Sequence, residues 1–201
     1  MSRQVTVILA SINPTTMCAD LIIPSAKYIP EELQTIGKIP PLLYPIGSGT
    51  LFDLIYVQYA TKPINIKIIG YEGFEMLRSG IPYNPKIQLI KIEKLVDLAH
   101  TLYHGLNDTE DKAIINFSDT FVEDNVFDAP DDCAFYSEEV YSDLWTFFKL
   151  KDGIIEEIID KPKELSKTPE KLFVGVFKIS NQKYFKQFYA KQSKMNSLYW
   201  P

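Results

Sequence analysis

The chain has little of several things that would announce a chemistry: two cysteines, two histidines and nine glycines in 201 residues. Cys18 and Cys133 stand far apart and form no Cys-x-x-Cys, which excludes a zinc knuckle, a vicinal redox pair and a disulfide framework. A reducing, cytoplasmic setting is the expectation that follows. His100 and His104 have i,i+4 spacing but lack the intervening glutamate of a metalloprotease, so a surface position or helix-end packing is the better reading of the pair. No Ser-His-Asp or Cys-His arrangement can be assembled from the spacings. Long apolar runs are missing too: the opening run over 5–10 is too short for a signal-peptide core or a membrane span, and no other stretch approaches one. Basic residues are outnumbered, 21 against 26, and the net charge of −5 lacks the footprint of a nucleic-acid binder.

What remains is an ordinary globule, 46% hydrophobic and 23% charged. A chain of this length buries about 70% of its unfolded surface, enough for one core, and a single domain over 1–201 is expected. The β-branched run 5–10 reads as a buried first strand ending at the turn signal Ser11-Ile12-Asn13-Pro14. Six prolines and three glycines over 11–50 forbid a long helix there and predict a long shaped loop. Leu51, Leu54, Ile55 and Tyr59 recur at helical spacing behind a capping Thr50. Strands are predicted over 65–70, 86–92 and 112–117, with a helical stripe over 93–106. Further on, 133–136, 145–150, 154–159 and 171–179 are strand-like, Lys151-Asp152-Gly153 joins two of them as a hairpin, and a short helix covers 184–189. Alternating strands and helices in the first half predict an α/β fold with a mostly parallel sheet and a ligand crevice at the strand C-termini.

Three segments, in order, carry a resemblance. The first is Val7-Ile8-Leu9-Ala10 followed by Pro40-Pro41-Leu42-Leu43-Tyr44-Pro45-Ile46-Gly47 leading into the helix at Leu51. The second is Ile114-Ile115-Asn116-Phe117-Ser118-Asp119-Thr120. The third is the hairpin from Lys151 running into Ile158-Ile159-Asp160-Lys161-Pro162, with Val174-Gly175-Val176-Phe177 behind it. Together they resemble the nucleotidyltransferase family that activates sugar phosphates and choline phosphate with a nucleoside triphosphate.

The resemblance implies a Rossmann-like mixed sheet of the nucleotide-diphospho-sugar transferase type, flanked by helices. It implies transfer of a nucleotidyl group to a phosphorylated sugar or small alcohol in surface polysaccharide biosynthesis. By the same resemblance Asp119 holds Mg2+ and Lys161 contacts the acceptor phosphate, while Ala10, Ser11 and Asn13 lie along the nucleotide. The partners implied are a nucleoside triphosphate and the phosphorylated acceptor; oligomerisation is left open. The chemistry is coherent, since an Asp at the end of a buried strand offers a hard cation its oxygen ligand and a lysine offers a phosphate a point charge. Pro162 behind Lys161 predicts an extended backbone at that lysine.

The departures define an alternative. Ser11-Ile12-Asn13-Pro14-Thr15-Thr16-Met17 carries neither the glycines nor the arginine of the family loop, and Pro40 takes the place of the lysine in its Pro-Lys-Pro segment, with Lys38 nearby. The chain stops at Pro201, ahead of the region where the family has a second metal-binding Asp, which predicts a domain shorter than the family's. A catalytically degenerate member acting in binding, regulation or assembly fits those departures. In the plainer readings Asp119 is a turn aspartate and Lys161 a solvated lysine.

Overall fold

The computed structural model describes residues 5–7, 19–31, 34, 36–139, 145–161 and 170–199. Its centre is a parallel block of four strands in the spatial order β7 (Ala113–Asn116), β2 (Ala19–Ser25), β5 (Ile64–Gly70), β6 (Ile87–Lys91). Beyond β7 the sheet turns antiparallel through β11 (Glu170–Ile179) and β8 (Cys133–Glu139) to β1 (Val5–Val7). A hairpin of β9 (Thr146–Lys151) and β10 (Ile154–Asp160) pairs with β11 as well, and β3 (Pro45–Ile46) with β4 (Gly49–Thr50) forms a separate small ribbon. The fold is the mostly parallel, helix-flanked α/β arrangement that the sequence predicts.

Helices cover both faces. Helix α1 (Leu51–Tyr59) lays Phe52, Ile55 and Tyr59 against Leu21, Ile23 and Ile68, and α2 (Phe74–Gly80) adds Leu77. Helix α3 (Leu98–Gly105) packs Leu102 against Ile22, Ile69 and Ile115 on the other face, beside α4 (Gln182–Tyr199). Thr50 caps α1 as expected: its hydroxyl accepts from the Asp53 N–H while the Asp53 carboxylate accepts from the Thr50 N–H at 2.7 Å, a reciprocal capping box. Asp152 and Gly153, both at positive φ, form the tight turn of the β9–β10 hairpin. No helix among the described residues is long and apolar enough to cross a membrane.

One expectation is corrected. In place of an unbroken loop over 11–50, Ala19–Ser25 is a strand of the sheet; of the strand expected over 5–10, Val5–Val7 pairs antiparallel to β8 at the far edge, and residues 8–18 lie outside the described residues. The central strand ahead of the long loop is β2. Its signal is hidden because Asp20 and Pro24 interrupt a run that is buried from Asp20 to Ser25. Pro24 is tolerated by geometry. The Asp20 N–H donates toward the β7 side, to Lys112 O, so alternation turns the Pro24 nitrogen to that side as well, past the last β2–β7 rung at Ile22 and Ile115.

Candidate nucleotide-binding cleft

The chain leaves β2 toward β5 and β6 and returns to add β7 on the opposite side, so the strand order reverses between β2 and β7. Crevices of open α/β sheets form at that point, outside the strand C-termini. A cleft of about 620 Å³ opens there. One wall is the end of β2 and its following loop, Pro24 and 26–30; a second is the approach to α3, with Leu95, Val96, Asp97 and Leu98; the third is Phe117, Ser118 and Asp119 after β7.

Asp119 occupies the third position of a tight turn closed by the Thr120 N–H donating to Phe117 O at 3.1 Å. The Phe117 N–H still bonds Gly175 O on β11, at 2.9 Å, so the turn begins while its first residue is tied into the sheet. Gly175 has φ +80°, and a Cβ there would stand 3.0 Å from both the Phe117 ring and the Thr120 hydroxyl. Only glycine suits a position that combines this backbone with that approach. The Asp119 carboxylate is exposed toward the cleft; its Oδ1 accepts from the Thr120 hydroxyl at 3.2 Å, and Oδ2 has no partner among the described residues.

Across from it, Lys27 is exposed on the cleft wall with no ion-pair partner among the described residues. Tyr28 follows, its ring under the Lys38 ammonium at 4.7 Å, an ordinary cation–π separation. Gly73 makes room for that ring, since a Cβ at Gly73 would fall 2.6 Å from Tyr28 Cε1. Asp97 caps α3, accepting from the His100 N–H at 2.6 Å. Lys27 thus lines the β2 end of the cleft with Lys38 over the neighbouring Tyr28 ring, and the Asp119 carboxylate, one oxygen unpartnered among the described residues, sits at the β7 end. Lys27, Tyr28 and Asp97 are absent from the sequence-based site; the signal for them is Asp20-Leu21-Ile22-Ile23-Pro24 read as a strand, which places Ser25-Ala26-Lys27-Tyr28 at its crevice end.

Lys161 is not among the residues lining this cleft. The strand register nevertheless sets its neighbourhood. β8 runs along one edge of β11, so β7, paired over 176–179, and β9, paired at 171–172, share the other edge. β9 therefore begins beyond the C-terminal end of β7, and β10 lies on its far side from β11. Asp160 pairs with Thr146, the first residue of β9, so Lys161 emerges at the end of the hairpin nearest the cleft. Its backbone is not extended as Pro162 leads one to expect: φ is +45°, and the N–H donates to Trp145 O at 3.1 Å. At this exposed position the backbone bond to Trp145, which closes the base of the hairpin, accompanies the departure from the pre-proline preference, and a left-handed backbone at a lysine is a strained feature. Ala10, Ser11 and Asn13 lie outside the described residues. His100 and His104 pack edge to face on α3 with Nε2 atoms 3.4 Å apart, and no cluster of three or more metal-ligating side chains occurs among the described residues.

No protein-family model matches the sequence, and no curated protein matches it. Solved structures match the fold. HddC from Yersinia pseudotuberculosis superposes with TM-score 0.63 at 13% identity, covering 84% of this chain and 79% of its own. The CTP:phosphocholine cytidylyltransferase LicC from Streptococcus pneumoniae gives 0.60 at 16% identity, covering 85% and 73%. A nucleoside-diphosphate-sugar pyrophosphorylase from Vibrio cholerae gives 0.59 at 14%, covering 90% and 81%. The chain has the fold of the sugar-phosphate and choline-phosphate nucleotidyltransferases.

Proposed function

We propose that this chain, built on the nucleotidyltransferase fold, transfers a nucleotidyl group from a nucleoside triphosphate to a phosphorylated sugar or small alcohol, in the synthesis of surface polysaccharide. The observation that carries the proposal is the position of Asp119: an exposed carboxylate, held by a tight turn and with Oδ2 unpartnered among the described residues, at the sheet's switch-point cleft. In the reaction an acceptor phosphate oxygen attacks the α-phosphorus, the bond to the β-phosphate oxygen breaks, and pyrophosphate leaves. The protein's share is to position two polyanions and offset their charge.

Asp119 suits Mg2+, a cation that keeps several waters and is taken through one or two carboxylates together with substrate phosphates. The free Oδ2 on the cleft wall is the atom for it. When bound, the ion would neutralise charge on the triphosphate. Lys27, on the cleft wall, and Lys38, over the Tyr28 ring beside it, are assigned to the triphosphate from the β2 side, and the Tyr28 ring to the nucleoside. Lys161, at the hairpin end nearest the cleft, remains the proposed partner of the acceptor phosphate. The roles of Ala10, Ser11 and Asn13 along the nucleotide stay part of the proposal.

A second reading is favoured by one observation. Residues 26–30 bring side chains rather than glycine backbone to the cleft, so backbone N–H groups approach a triphosphate less closely than in a glycine-rich loop. Binding without turnover, in a regulatory or assembly role, accommodates this. Pyrophosphate release from each nucleoside triphosphate, over a panel of sugar phosphates and phosphocholine with Mg2+, separates the two. Release that needs one acceptor supports transfer; nucleotide binding without release supports the second reading; neither binding nor release discards both.

A further inference from the structure

Asn116 breaks the pattern of its strand. Ala113, Ile114 and Ile115 are apolar and fully buried, and Asn116, 0% exposed, is the one polar side chain of β7. Its amide Nδ2 donates two bonds of 2.9 Å, one to Phe117 O and one to Thr120 O. Those carbonyls belong to the first and last residues of the turn that presents Asp119. The other amide atom, Oδ1, is buried with no hydrogen-bond partner. A buried acceptor left unpaired is costly, and an apolar side chain of similar shape would avoid that cost. A local rule broken without compensation elsewhere in the core points to a task at the site.

We propose that Asn116 is a positioning residue for the Asp119 carboxylate, clamping both ends of the 117–120 turn so that the carboxylate is fixed on the cleft wall before substrate arrives. The proposal rests on the metal-binding role given to Asp119 above. Three ties converge on this turn. The Asn116 amide holds its two carbonyls from below, Gly175 O takes the Phe117 N–H from β11, and the Thr120 hydroxyl donates to Asp119 itself. Of these three ties only the Asn116 amide reaches both ends, reinforcing the Thr120 N–H to Phe117 O bond that closes the turn. An apolar residue at 116 leaves Phe117 O and Thr120 O without that donor, and the turn is then closed only by its own backbone bond. Lys27 and Tyr28 on the opposite wall are not touched by the clamp, so their contribution to nucleotide binding is separable from it.

The test uses the whole chain and calorimetric titration with GTP, CTP, ATP, UTP and dTTP, each with and without Mg2+. The tightest is carried forward, and circular dichroism checks the fold of each variant. For Asn116→Leu the Mg2+-dependent gain in affinity is expected to fall by about tenfold or more, the usual effect of losing an outer partner of a metal ligand. Affinity without Mg2+ is expected to stay within about twofold, since the β2 wall is intact. Asn116→Thr, which keeps one donor, is expected to fall between Leu and the parent, and it carries the test alone if the Leu variant does not fold. An unchanged Mg2+ gain in either folded variant overturns the proposal, and so does an equal loss with and without Mg2+. Asp119→Asn tells the two ideas apart: if it abolishes the gain while Asn116→Leu keeps it, the clamp is wrong and the metal role stands. If the parent itself shows no Mg2+ gain, both fall.

Discussion

Lys67 and Asp20 face each other across β5 and β2 with ammonium and carboxylate 2.9 Å apart, at 7% and 4% exposure. The pair is surrounded by polar partners. Lys67 also donates to Gly105 O and Asn107 Oδ1, and Asp20 also accepts from Asn107 and from Gln182, the first residue of α4. One carboxylate thus ties the central strand to the end of α3 and the start of α4.

Removing one side of that pair is expected to be costly. Lys67→Met leaves a buried carboxylate without its cation and should destabilise the fold by about 3–5 kcal/mol. Adding Asp20→Asn removes the stranded charge while keeping an acceptor, so the double variant should recover part of the loss. Urea denaturation of the four species in a double-mutant cycle checks this; a double variant no more stable than Lys67→Met would refute the coupling.

Gly105 reports how closely α3 approaches the sheet. A Cβ there would meet Ile69 Cδ1 at 2.5 Å and Ile22 Cγ2 at 2.9 Å, and the second neighbour is a branched methyl in a fully buried side chain. Gly105→Ala is therefore expected to lose about 1–3 kcal/mol through overpacking, despite the better helix propensity of alanine. Thermal or urea unfolding decides; a stabilised variant would show that α3 stands off further than this.

The two lysines should divide their labour. Lys27→Met is expected to weaken nucleotide binding with or without Mg2+, by about tenfold, as for a charged hydrogen bond to phosphate. Lys161→Met is expected to spare nucleotide affinity and raise the KM for the phosphorylated acceptor. Titration with nucleotide and kinetics against acceptor separate them, and equal effects on both ligands from Lys161→Met would remove its acceptor role.

Burial pushes the Cys133 thiol up to about 11 from an ordinary 9, so it stays protonated through the physiological range. In a Cys18→Ser background the native protein should resist iodoacetamide at pH 8 and react readily once unfolded. The sign for stability follows. Between about 9 and 11 the unfolded thiol ionises while the native one holds its proton, so this group lowers stability as pH rises through that window. Cys133→Ala should flatten that part of the profile; rapid alkylation of the native thiol at pH 8 would contradict the shift.

Where the fold is concerned, the sequence by itself determined whatever rests on short-range pattern. Thr50 and Asp53 wrote the capping box of α1, Asp152-Gly153 the hairpin turn, and the apolar run ahead of Asp119 the buried strand β7. Asp119 and its strand-end position were legible for that reason. Tertiary structure alone decided the rest. β2 is a strand because Asp20 finds Lys67 on β5 and Gln182 on α4, and because Pro24 falls beyond its last rung with β7. None of those partners is near it in sequence, so the run reads as a proline-rich loop and the wall of the cleft that follows Ser25 is not foreseen. Helix α2 escaped notice because it starts from Gly73 at φ +66° with no side-chain cap and buries only Leu77. The Asn116 clamp, the walls of the cleft and the nearness of Lys161 to it depend on register between strands far apart in the chain. Such pairings are fixed by complementary burial across the whole sheet, which no local stretch of sequence encodes.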